Sequence, residues 1–359
     1  MAFTSLPHNQ TNWLPIAHNT SSETSAHRQI QASDIPVLIC YGLIAVIGFV
    51  CNGITIAVMA RNPTLHTIYN KLLLNLAAAD LISNIFSIAK IIIILSVNQS
   101  GGISDLFAEI VCRLFTTIIY FCILLSVVTL TAIALERYFG IVKPLVHRNM
   151  TPKRLTYFVV FAWISSLVAP AIISEQMEMD KTTYYCFLRP NAEDWPQWKM
   201  VLGWVGLTCA YIIPLIVITV VYVKIIMHMR RRNRRVNLAT AGNPQSELLA
   251  RRKTSKLVRL LLLITVLFSV SLLPEIVYFA MILTDIRYID AALFYKVGVP
   301  TVAINAINPL IYTLSNSTFR IAAARLIRRR SRRVRPVTER RTRGWTTKTK
   351  TTASSHTAK

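Results

Sequence analysis

Apolar residues fall in seven long runs, and the polar stretches between them hold most of the charge. Ile35–Ala60, Leu114–Leu135, Leu155–Ser174, Met200–Val223 and Val297–Phe319 contain no Asp, Glu, Lys or Arg. Leu72–Leu95 carries Asp80 and Lys90, and Leu260–Thr284 carries only Glu275. Each run meets the roughly 20 residues that an α-helix needs to cross a bilayer. Lipid offers the backbone no hydrogen-bond partner, so a span must be a helix or part of a closed barrel. Barrel strands alternate apolar and polar positions, which these continuous runs do not. The pattern predicts an all-α membrane protein, a seven-transmembrane helix bundle. After the last run, Phe319–Ile327 mixes apolar and basic residues at helical spacing and predicts a short amphipathic helix on the inner, anionic leaflet.

Composition agrees. Of 359 residues, 53% are hydrophobic and 16% charged, against about a quarter charged in soluble domains. The formal charge of +24 suits either nucleic acid or a membrane surface. The basic residues sit in blocks between apolar runs, which favours the membrane and excludes nucleic acid as a partner. Arg230-Arg231-Arg232, Arg234-Arg235, Arg251-Arg252-Lys253 and Arg328-Arg329-Arg330 mark their segments as cytoplasmic. The N-terminal tail, with Arg28 as its only Lys or Arg, falls outside, in a multi-pass protein of the plasma membrane. Sequons at Asn9, Asn19 and Asn98 lie on that outer side and are candidate glycosylation sites. The expected organisation is an extracellular tail over 1–34, a seven-span membrane domain with its amphipathic helix over 35–327, and a disordered basic tail over 328–359. The polar first residues predict no cleavable signal peptide.

At membrane depth an ionisable or amide residue is costly and marks a functional site by default. Asn52 sits in the first run, Asp80 in the second, and Glu136-Arg137-Tyr138 closes the third. Trp163 follows in the fourth, Pro214 and Tyr222 in the fifth, Phe268 and Pro274 in the sixth, and Asn308-Pro309-Leu310-Ile311-Tyr312 in the seventh. In this order, on seven runs, the chain resembles the rhodopsin-like (class A) G-protein-coupled receptors, most closely the neuropeptide-receptor type. The resemblance covers about Ile35 to Leu326. Any one motif is weak; the set in register is specific.

The resemblance implies a cell-surface receptor that activates a heterotrimeric G protein, with no enzymatic activity and no cofactor beyond a sodium ion as inactive-state modulator. Glu136, Arg137 and Tyr138, with Leu145, Tyr222, Phe268, Pro274, Asn308, Pro309 and Tyr312, would serve coupling and activation. Arg137 stays charged and can pair locally with Glu136; a side chain that merely snorkels to the interface is the alternative. Asp80 with Ser126, Asn305 and Asn308 would hold the sodium ion, although Ile304 stands where the family carries a polar residue. A protonated or water-bound structural Asp remains the other reading. Cys112 and Cys186 occupy the positions that the family joins by a disulfide, next to a β-forming stretch like that of its peptide receptors. Departures are Leu272 for the usual Trp of the sixth helix and Thr254 for an acidic partner of the third-helix Arg.

Position argues against two ligand classes. Ile119 stands where aminergic receptors carry Asp, and Val302 where opsins carry the retinal Lys. Lys90, Tyr120 and Glu275 remain as ligand-binding candidates. The outer segments hold Asp105, Glu109, Glu175, Glu178, Asp180, Glu193, Asp194, Asp285 and Asp290, an acidic mouth that would concentrate a cation. The expected ligand is a small basic neuropeptide; an orphan or constitutively active receptor for a non-peptide ligand is the alternative. A transporter would need repeats or a continuous polar path, and an enzyme a nucleophile–base pair; the sequence offers neither. Arrestin is expected as a further partner through the tail cluster Thr346, Thr347, Thr349, Thr351, Thr352, Ser354 and Ser355, because phosphate there reverses local charge. Deleting Trp345–Lys359 should abolish agonist-driven arrestin recruitment in a proximity assay, and unchanged recruitment would remove this role from the tail.

Overall fold

The computed structural model describes residues 32–100, 104–149, 151–179, 185–188, 196–238, 244–284, 291–309 and 317–334. Asn9, Asn19, Tyr312 and the Thr/Ser cluster of the tail lie outside the described residues. Helix α1 spans Ile35–Ala60, α2 Ile68–Ser100 and α3 Asp105–Val142. A single turn, α4 (Pro144–His147), leads to α5 (Pro152–Ile173). Strands β1 (Met177–Met179) and β2 (Cys186–Leu188) pair antiparallel, Met179 opposite Cys186. Then follow α6 (Gln197–Leu207), α7 (Ile213–Leu238), α8 (Pro244–Leu283), α9 (Ala291–Ile307) and α10 (Ser317–Val334). Helix α3 is central, packed against α2, α5 and α7, while α1 packs on α2 and α9, and α8 on α9.

Among the described residues six helical segments are long and apolar enough to cross a membrane, and Leu293–Ile307 is a shorter apolar helix at the place of the seventh run. Within the run predicted over Val297–Phe319, α9 ends at Ile307, Asn308 forms a turn, Pro309 is again helical, 310–316 lie outside the described residues, and Phe319 belongs to α10. The run over Met200–Val223 also departs from a uniform helix, because the five residues Thr208–Ile212 form a π-turn between α6 and α7. Helix α10 extends past Ile327; Phe319 and Ala322 turn inward to the core while Arg320, Ile321 and Arg325 face out. Asn98 lies in the last turn of α2 rather than in a loop.

Lipid-facing positions are apolar, as in Leu43, Ile47, Val50 and Ile54 of α1, because lipid is their solvent. Polar side chains turn inward instead. Asn52, Asp80, Ser83, Asn84 and Ser87 are all buried. With no hydrophobic drive between helices inside lipid, close backbone approach and interhelical hydrogen bonds hold such a bundle together. Gly48 supplies one close approach: a Cβ there would lie 2.6 Å from Asn84 Nδ2. Asn84 has little freedom to move, since it donates to the Asp80 main-chain oxygen at 2.7 Å. Gly48→Ala should destabilise the bundle by about 1–3 kcal/mol, the usual cost of overpacking. Thermal unfolding of the purified protein checks this, and adding Asn84→Ala should recover most of the loss.

Candidate functional site

The polar centre of the bundle forms around Asp80, fully buried in α2. Ser126 of α3 donates to its Oδ1 at 3.1 Å, and Asn308 Nδ2 donates to its Oδ2 at 2.7 Å. Both carboxylate oxygens are thus answered from two other parts of the chain, which an isolated buried carboxylate requires. Asn305 is also buried, and its main-chain oxygen accepts from Asn52 Nδ2 at 3.1 Å, tying α1 to α9. A second polar tie went unnoticed in the sequence. Trp163 Nε1 donates to Asn75 Oδ1 at 2.9 Å, and Asn75 Nδ2 donates to Thr129 Oγ1 at 2.8 Å, linking α5, α2 and α3.

At one end of the bundle the Cys112–Cys186 disulfide pins β2 onto α3. Beneath it, Lys90 is buried, with 7% of its surface exposed. Its Nζ donates to Thr116 Oγ1 at 3.1 Å and lies 5.1 Å and 4.9 Å from the ring centroids of Phe294 and Tyr295, within reach of cation–π attraction. Thr116 in turn reaches Cys186 Sγ at 3.2 Å, and the Cys186 N–H donates to the Tyr295 hydroxyl at 3.1 Å. Asp34, just before α1, takes Lys296 Nζ at 3.1 Å and the Tyr185 hydroxyl at 3.4 Å, clasping α1, α9 and the hairpin segment. None of Thr116, Phe294, Tyr295, Asp34 or Lys296 stands out in the sequence as part of this site, although Phe294 and Tyr295 lie just before the last apolar run.

Glu275 follows Pro274 in α8. Pro274 removes one rung of the helix, and two carbonyls beside that rung take extra donors: Tyr211 of the π-turn to Ser269 O at 3.0 Å and Thr301 of α9 to Ser271 O at 3.3 Å. Thr301 also lies beside Glu275. Lys90 and Glu275 do not form an ion pair; they face each other across a small cavity that Tyr120 also lines. A larger cavity of about 130 Å³ opens from Glu275, Tyr120 and Phe294 between α3, α5, α6 and α8, with walls that are mostly apolar, among them Leu124, Leu272 and Phe279. Leu272, in place of a ring, also borders a void of about 20 Å³ beside Phe268. Of the outer acidic residues, Glu109 pairs with Arg113, and Glu175 with Lys199 at 2.7 Å, while Asp180, Glu193, Asp194, Asp285 and Asp290 lie outside the described residues.

At the opposite end, Arg137 Nε lies 2.7 Å from Glu136 Oε2, and its guanidinium stacks 3.6 Å from the Tyr69 ring centroid. His147 of α4 takes the other Glu136 oxygen at 3.0 Å. These groups line an open cavity of about 480 Å³. Tyr138 packs against the core, edge-on to Phe139. Tyr222, buried, bonds Thr265; Phe268 is buried in the core, and Leu145 is 81% exposed on α4.

A helical bundle with a pocket under a disulfide-pinned hairpin at one end and a locally paired arginine at the other defines a seven-helix membrane receptor. The sequence matches the 7 transmembrane receptor (rhodopsin family) over residues 51–312, and the chain belongs to that family. It is similar to cysteinyl leukotriene receptor 1 of Homo sapiens, at 26% identity, covering 78% of this chain and 81% of the relative. It is similar also to galanin receptor 2a of Danio rerio, at 26% identity over 82% of this chain and 78% of the relative. The crystal structure of squid rhodopsin shares the fold with a TM-score of 0.68, at 17% identity, covering 83% and 86% of the two chains. The protein is thus a multi-pass membrane receptor and not an enzyme.

Because the disulfide seats the hairpin over Lys90, its loss should reach the pocket. Cys112→Ala and Cys186→Ala should each cost about 2–4 kcal/mol of stability, a typical disulfide contribution. The double mutant should be no worse than either single one in thermal unfolding; additive losses would argue against the bond.

Proposed function

We propose that this receptor sits in the plasma membrane with its N-terminus outside and converts binding of an extracellular ligand under the hairpin into activation of a heterotrimeric G protein at the Arg137 end. Family membership supports the coupling, and the observation that carries the mechanism is the Arg137–Glu136 pair. A guanidinium held by its neighbour and by the Tyr69 ring is stabilised at rest, and its release would present a fixed charge to a partner. Exposed Leu145 offers an apolar contact beside it. Pro274 removes a rung of α8, and the carbonyls of Ser269 and Ser271 beside it are bonded by the π-turn and α9, so a ligand that shifts Glu275 biases the helix carrying Phe268. Tyr222, Asn308, Pro309 and Tyr312 are assigned to the same movement.

The ligand carries a cation that meets Glu275, as a small basic peptide or an amine of similar shape would. The relatives' names include a leukotriene and galanin, so family membership leaves the ligand class open, and Glu275 is the feature that favours a cation. Asp80, the Ser126 hydroxyl and Asn308 are oxygen-rich groups that fit a sodium ion; Asn308 Oδ1 is buried without a hydrogen-bond partner among the described groups. Sodium would neutralise the buried carboxylate and hold α2, α3 and the Asn308 turn in the resting arrangement. Basic α10 lies against anionic lipid, and arrestin binds after tail phosphorylation.

Arg137→Ala should abolish guanine-nucleotide exchange on purified G protein while surface expression stays near wild type. Full exchange by this variant would remove the coupling role from the Glu136-Arg137-Tyr138 turn.

A further inference from the structure

Lys90 and Glu275 are an unusual pair to leave apart. Each is held in an apolar bundle where an unanswered charge is costly, and a purely structural pair would close into contact. Here Lys90 rests on Thr116 and on the rings of Phe294 and Tyr295, while Glu275 rests on Thr301. The cavity between them therefore has a donor end and an acceptor end. A simple amine would answer Glu275 and leave Lys90 alone; a simple carboxylic acid would do the reverse.

The third side of the site is apolar. Glu275, Tyr120 and Phe294 line both this cavity, of about 20 Å³, and the larger one, so the same three side chains border both. The larger cavity, at about 130 Å³, is close to the roughly 150 Å³ apolar cavity that accommodates benzene. It takes one ring or branched alkyl group of a ligand. Along the pocket the order is cation, then anion, then apolar wall.

Resting on the reading that this pocket is the ligand site, we propose that it takes a small zwitterion: a carboxylate on Lys90, an ammonium on Glu275, and a ring-sized apolar body in the larger cavity. That is the chemistry of a free apolar or aromatic α-amino acid, in which carboxylate, ammonium and side chain meet at one carbon.

The test uses the full-length receptor in lipid nanodiscs. The probes are L-phenylalanine, L-tryptophan and L-leucine, each also as its N-acetyl derivative, which lacks the ammonium, and as its amide, which lacks the carboxylate. Thermal stabilisation reads binding. At least one free amino acid should stabilise the wild type, with both blocked forms weaker by about tenfold or more, as each removes one charge-assisted contact. In Lys90→Met the free acid and its amide should become equivalent; in Glu275→Gln the free acid and its N-acetyl form should. The blocked probes test the idea on the wild type even if a variant fails to fold. No stabilisation by any free amino acid at about 10 mM, beyond the millimolar range expected of so small a molecule, overturns the proposal, as does equal binding of the blocked forms. Parallel nucleotide-exchange assays on wild type and Arg137→Ala separate the two readings. Arg137-dependent exchange without amino-acid binding keeps the receptor and discards the zwitterion. Amino-acid binding without such exchange keeps the site and discards the coupling.

Discussion

A bilayer core gives polar groups nothing to bond to, and in this bundle every structural decision at depth follows from that. Lipid tails are as apolar as leucine, so apolar contact alone sets no preferred rotation of one helix against another. Polar side chains do. Asp80 is answered by Ser126 and Asn308, Asn52 by the main chain at Gly48 and Asn305, and Asn75 by Trp163 and Thr129. Together these bonds tie α2 to α3, α5 and the Asn308 turn, and α1 to α9. Each is worth only about 0.6 kcal/mol on average in a membrane bundle, but wrong rotations would leave the same groups buried and unanswered, which costs more.

The same constraint shapes the two working ends. Near the disulfide, Lys90 is tolerated because Thr116 and two aromatic rings receive it, and Glu275 because Thr301 does. Those contacts come from α3 and α9, so charge in the pocket is coupled to helix position. At the far end Arg137 is tolerated by Glu136 and Tyr69, and Glu136 by His147. Between the ends runs α8, with Pro274 inside it and the carbonyls of Ser269 and Ser271 beside that proline bonded by Tyr211 and Thr301. Thr301 lies next to both that stretch and Glu275, a direct physical route from the pocket to the helix that carries Phe268.

Hydropathy reports depth along a helix and not its rotation, and this decides what the sequence could tell. The spans were legible because lipid admits so few backbone solutions; Ile35–Ala60 agrees with the observed helix to the residue. Adjacent pairs such as Glu136–Arg137 were legible too. The partners of Lys90 were not, since Thr116 lies 26 positions away and Phe294 on another helix, and neither carries a charge that draws notice. Asn305 adds a bond of the same kind: its main-chain oxygen receives Asn52, a contact that no side-chain pattern announces. The π-turn at Thr208–Ile212 has no hydropathy signature, and Arg113 and Lys199, the partners of Glu109 and Glu175, lie in elements whose ends the apolar runs leave undefined.

The claim that polar bonds, and not apolar contact, hold these helices in register is tested most directly on the Asn75–Trp163 pair, which serves neither the pocket nor the Arg137 end. The measurement is a double-mutant cycle of Asn75→Ala and Trp163→Phe by thermal unfolding in nanodiscs. The account predicts a coupling of about 0.6–1.7 kcal/mol, the span measured for interhelical hydrogen bonds in a membrane bundle. Strictly additive losses would contradict it.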